Sequence, residues 1–115
     1  MCWAVPGVVL EVKTNGVALV DMGDGVAREA VIAIEVDRVK PGSIVMVHAG
    51  AIITTINIDA LRETFNMKKE MARELAEMAG EDPEEAVREV EVEFKSLLEA
   101  IERAKRHGIT ETTIT

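Results

Sequence analysis

Val8-Val9-Leu10-Glu11-Val12-Lys13-Thr14-Asn15-Gly16-Val17-Ala18-Leu19-Val20-Asp21-Met22 places two apolar, valine-rich runs on either side of an Asn-Gly step. Branched side chains fit a pleated surface, and Asn-Gly tolerates the positive φ that a type I′ turn requires. The stretch therefore predicts a β-hairpin. Working outward, Gly23-Asp24-Gly25 supplies a second turn, and a third strand is expected from about Val26 to Ile34. Glu35 to Lys40 is polar and reads as irregular, and Pro41-Gly42 restarts the chain. Strands Ile44 to His48 and Ala51 to Ile56 then flank Ala49-Gly50. Five short strands spaced by glycine turns predict a small closed or nearly closed barrel, which hides the edges that such strands would otherwise expose.

The period changes near Asn57-Ile58-Asp59. Asp59 is expected to cap a helix over about 60–79, with Leu61, Phe65, Met71 or Ala72, Leu75, and Met78 or Ala79 at helical spacing and Gly80 as its stop. Met67, Met71 and Met78 are expected as core fillers. Asp82-Pro83-Glu84-Glu85 is a strong start signal for a second helix over about 83–107. Val87, Val90, Phe94, Leu97, Ile101 and Ala104 form a narrow seam along it. That seam predicts a helical hairpin with the first helix; a weak homodimer through the second helix is the runner-up to a monomer. Lys105-Arg106-His107 suit a helix C-terminus, with Gly108 closing it. The chain thus divides into a barrel over 1–58, a helical extension over 59–108 and a flexible tail over 109–115.

Composition narrows the function classes. The chain has 115 residues, a net charge of −8 and one cysteine. A lone cysteine makes no internal disulfide, which fits a reducing cytosol. No signal peptide and no membrane-length apolar run are evident, so a cytoplasmic protein with no membrane partner is expected. Acidity disfavours nucleic acid, and Trp3, Phe65 and Phe94 are too few for a base-stacking platform. Charge is uneven: residues 1–58 carry six acidic and four basic side chains, residues 59–115 fifteen and nine. The acidic half reads as solvated helix faces, or as a surface that steers a basic partner.

The residues with chemistry lie elsewhere. Met1-Cys2-Trp3-Ala4-Val5-Pro6-Gly7 opens the chain with its only thiol. Trimming of Met1 would leave Cys2 with a free α-amine, so that amine and thiol could chelate a metal or the thiol could act alone. Pro6-Gly7 reads as a turn that tethers this thiol to the barrel. Trp3 could cover the thiol, meet a partner or pack at the barrel mouth. His48, at a strand end beside Gly50, could be a ligand, a proton donor or a hydrogen-bonded surface group, and by itself favours the last. Asp21, Asp24 and Asp37 read as turn and strand-end carboxylates. Neither a phosphate-binding loop nor a Cys-x-x-Cys pair occurs.

Together, Met1-Cys2-x-Ala-Val-Pro-Gly, Val20-Asp21 before a glycine turn, and Pro41-Gly42 leading into Val47-His48-Ala49-Gly50 resemble the HypC/HupF family of nickel–iron hydrogenase maturation chaperones. The resemblance covers about residues 1–79. It implies an OB-like five-stranded barrel followed by helix, no catalysis of its own, and a HypD-like iron–sulfur scaffold protein as partner. It implies that the two hold iron as Fe(CN)2CO and deliver it to the hydrogenase large-subunit precursor. Cys2 and His48 match the family's metal-site positions; Cys2, Trp3, Pro6, Gly7, His48 and Gly50 would make the partner surface. This chain departs from many relatives at Ser43-Ile44 and Ala51, and residues 81–115 lie beyond what the resemblance explains. An OB-type adaptor without iron is the alternative. A thiol enzyme using Cys2 and His48 would need a third, orienting group that the sequence does not offer.

Overall fold

The structure, a computed structural model, describes the backbone of residues 4–114 and the side chains of residues 4–106. Five strands come first: β1 (Val5–Val12), β2 (Val17–Asp21), β3 (Ala27–Ile32), β4 (Ile44–His48) and β5 (Ala51–Ile56). A single 3-10 turn, Val36–Arg38, interrupts the link between β3 and β4. Helices α1 (Ile58–Ala79) and α2 (Pro83–Ile114) follow. The strands close in the order β1-β2-β3-β5-β4, with β1 returning to β4. Only β3 and β5 run parallel; every other pair is antiparallel. This is the expected OB-like barrel, followed by the expected helical hairpin.

Why β1 reads as a continuous apolar run follows from its position. Neighbouring residues of a strand face opposite ways, so a half-solvated strand alternates. Val8 and Val9 are both fully buried because β1 is covered on both sides. Val9 points into the barrel with Val20, Val45, Val47 and Ile52. Val8 points outward, beneath the helices, with Ile44, Leu61, Phe65, Leu97 and Ile101. The seam of α2 serves this outer core: Leu97, Ala100, Ile101 and Ala104 are buried, and the rings of Phe65 and Phe94 stack at 4.7 Å. Burying one such aliphatic side chain contributes about 1.5–3 kcal/mol. The barrel turn also fits α2 closely, since a Cβ at Gly23 would lie 3.2 Å from the backbone nitrogen of Leu97.

Several local expectations are corrected. Pro6-Gly7 is not a turn: both residues lie within β1, opposite Met46 and Val45. Gly7 is needed instead for close packing, because a Cβ there would stand 2.5 Å from Cγ1 of Val20. The β1–β2 hairpin is not type I′, since Gly16 alone has positive φ and Asn15 does not. Lys13 N–H donates to Val17 O at 2.8 Å, closing a three-residue loop, in which only the last residue has to be left-handed. β3 is shorter at both ends than expected, stopping at Ile32.

The helix ends also differ. Asn57, not Asp59, caps α1, its side-chain oxygen accepting from Ala60 N–H at 2.8 Å. Asp59 lies inside the first turn. Gly80 stops α1 as expected, left-handed at φ 74°, with Glu81 N–H donating to Ala76 O at 2.8 Å. Asp82 caps α2 through Glu84 N–H at 3.0 Å. Gly108 does not stop α2, which continues to Ile114 through what was expected to be a tail. A glycine costs an interior helical site only about 1 kcal/mol, and no proline follows to enforce a break. Finally, Met67, Met71 and Met78 are not core fillers; all three are exposed on α1.

Candidate functional site at the end of β4

The β4–β5 connection is two residues long. Ala49 and Gly50 both take positive φ, 51° and 79°, so this is the type I′ turn whose twist suits a two-residue hairpin. Ala49 is the non-glycine residue held there, a placement that costs an L-residue about 1–2 kcal/mol. The turn is tied down from the side: Val31 N–H of β3 donates to Gly50 O at 2.9 Å. His48 and Ala51 face each other across the base of the turn. One step further, Met46 pairs with Thr54 but Val47 with Ile52, so Ile53 is an extra, bulged residue on β5. It is exposed, and such bulges commonly re-aim neighbouring side chains.

His48 itself is half-buried, and its Nδ1 is buried with no hydrogen-bond partner among the described residues. Among the described residues, the hydrogen-bonded surface histidine favoured by the residue type alone is not formed at Nδ1. A buried polar atom without a partner costs about 1–3 kcal/mol, which a ligand or partner group could recover. The other predicted residues gather around it unevenly. Register places Val5 opposite Val47, Pro6 opposite Met46 and Gly7 opposite Val45. The start of β1 thus runs alongside the His48 end of β4. Cys2 and Trp3 lie outside the described residues.

Asp21 has the structural role expected of it. Its Oδ1 accepts from Gly23 N–H at 2.8 Å and Gly25 N–H at 3.1 Å, holding the β2–β3 turn. Its Oδ2 faces Arg103 of α2 at 3.7 Å. A cleft of about 720 Å³ opens there, lined in part by Leu10, Glu11, Asp21 and Arg103, and none of the predicted site residues among those described lines it. Among the described residues, no three His, Cys, Asp or Glu side chains converge as a metal site. Sequence reasoning placed Ala49-Gly50 between the strands but missed the left-handed conformation of Ala49 and the bulge at Ile53. Ala-Gly is a weaker turn signal than Asn-Gly, and a bulge shows only when both strands' registers are known.

A closed OB-like barrel, a histidine at the tip of its β4–β5 hairpin and an appended helical element define a small barrel module whose polar opportunity lies at one end of the sheet. The chain belongs to the HupF/HypC family, whose family model matches residues 1–68. It is 32% identical over 81 residues, covering 70% of this chain and 93% of the relative, to a protein of Helicobacter hepaticus named hydrogenase maturation factor HypC. No helix among the described residues is long and apolar enough to cross a membrane.

Proposed function

We propose that this protein is a hydrogenase maturation chaperone that carries iron as cargo rather than transforming a substrate. In this reading it joins a HypD-like iron–sulfur scaffold protein, and the Cys2 thiolate holds the Fe(CN)2CO unit while its diatomic ligands are attached. The unit is then passed to the large-subunit precursor of a nickel–iron hydrogenase. The observation that carries the reading is the buried Nδ1 of His48, without a hydrogen-bond partner among the described residues, beside the start of β1. Ala4 precedes that strand, and two further residues reach back to Cys2, a span of at most about 7 Å. Thiolate and imidazole are both suited to iron, and thiolate especially to a soft, low-spin centre bearing cyanide and carbon monoxide. Cys2, the diatomic ligands and the scaffold partner would complete the donor set, with His48 as ligand or hydrogen-bond donor.

A ligand near the chain's beginning can be handed between partners, while the barrel end supplies a rigid reference surface. The strained Ala49-Gly50 turn, the bulged Ile53 and the opening residues of β1 would form the rim against which the scaffold docks. The test is an infrared spectrum of anaerobically purified protein with its co-purifying partner. Cyanide and carbon monoxide bands are expected in the natural chain and absent from Cys2→Ala, with the partner still bound. Iron and partner present without such bands would leave an OB-type adaptor and overturn the carrier role.

A further inference from the structure

α1 carries an apolar stripe that the fold does not use. Met67, Met71, Leu75 and Met78 are 67%, 42%, 61% and 83% exposed. Spacings of four, four and three residues put them on one face, displaced by about a third of a turn from the face that buries Leu61, Phe65 and Ala76. Three of the four are methionine, whose flexible, polarisable side chain adapts to a partner's contour.

Carboxylates border the stripe on both sides. On α1, Glu70, Glu74 and Glu77 follow its outer edge and are exposed. Across the hairpin, the 2.7 Å pair from Lys68 Nζ to Glu93 Oε2 marks which side of α2 adjoins the stripe. Glu89 lies on that same side, one turn before Glu93, and is also exposed. Lys68, the cation nearest the stripe, is already engaged by Glu93, while Lys69 turns to the opposite edge, toward Glu91.

We infer that this stripe is a docking face for a basic amphipathic helix of another protein. Apolar anchors at successive turns of such a helix would lie along Met67, Met71, Leu75 and Met78, and its flanking Lys or Arg would meet the two acidic borders. Charge decides against other occupants. A second copy would set these glutamates against glutamates, and an anionic lipid surface would be repelled in the same way. The family model's match ends at residue 68, within this face, whereas the match to the Helicobacter hepaticus relative covers 81 residues and so extends along it. The inference stands independently of the iron-carrying role.

The experiment uses the full chain and a fluorescent peptide of about five helical turns, with Leu at helical spacing and Lys and Arg elsewhere. Binding by anisotropy is expected, weakening as salt is raised. Met71→Ser/Leu75→Ser should weaken it on the order of tenfold, with unchanged circular dichroism, because both side chains are exposed. Glu74→Lys/Glu89→Lys should weaken binding and flatten its salt dependence. Equal affinity for a scrambled peptide of the same composition would overturn the proposal, as would a serine variant that binds like the parent. A dimer of the parent chain that Met71→Ser/Leu75→Ser dissociates would assign the face to a second copy, and co-sedimentation with anionic vesicles would assign it to lipid; either overturns it.

Discussion

Ala49 shows how much a single position near the candidate site is asked to bear. An alanine held left-handed is strained, and asparagine tolerates that conformation at lower cost while preserving the turn. Ala49→Asn is therefore expected to stabilise the fold by about 0.5–1 kcal/mol, read as a raised urea midpoint at constant slope. Asp21 is the opposite case. Removing its carboxylate leaves the Gly23 and Gly25 amides without their acceptor, so Asp21→Ala should cost about 1–3 kcal/mol in the same assay. Asp24, in the same turn, has its carboxyl held below the usual range by the hydrogen bond from Arg28 and then by Val26 N–H. A lowered folded pKa means stability present above the unfolded carboxylate's range and lost as pH falls through the folded value. Arg28→Ala should move the Asp24 titration upward, as followed by NMR.

At the scale of elements, α2 matters most because it roofs the outer face of β1. Leu97 is buried beneath the hairpin, with Gly23 of the β2–β3 turn pressed against its backbone. Leu97→Ala should destabilise the whole protein by about 2–5 kcal/mol in one cooperative transition, rather than freeing α2 alone. Ending the chain at Gly80 removes α2 and leaves Val8, Ile44, Leu61 and Phe65 without their cover. Such a fragment is expected to bind a hydrophobic dye or self-associate, and a fragment that stays monomeric and dye-silent would contradict the roofing role.

The whole molecule is longer than a compact chain of this size needs to be. α2 alone, at 32 residues, spans about 48 Å, and the molecule measures 54 × 29 × 23 Å. Its radius of gyration is 15.5 Å, against about 13 Å expected for a compact domain of this length. Solution scattering should return a value close to the larger figure, and a value near the smaller one would contradict this elongated shape. The two ends of this shape carry different opportunities. The barrel end presents His48 and the start of β1, whereas the hairpin presents the methionine stripe and its acidic borders.

Much of this was legible from local signals because local physics dictated it. Valine-rich runs between glycine turns made the strands, and Gly80 and Asp82-Pro83 marked the helix boundary, since those effects act within a few residues. His48 could likewise be singled out, but the burial of its Nδ1 without a partner among the described residues could not, because that depends on how the strands pack around it. Gly7 looked like a turn residue and proved to be a contact residue: the nearest obstacle to a Cβ is Val20, thirteen positions away on the neighbouring strand. The methionines of α1 had helical spacing that suited a core. Only the placement of α2 decided that Leu61, Phe65 and Ala76 would be covered while Met67, Met71 and Met78 were left outside. Sequence by itself determined the elements, their order and the family motif. Tertiary structure decided which of two plausible apolar faces was buried, because two helices can satisfy only one face of α1 at a time.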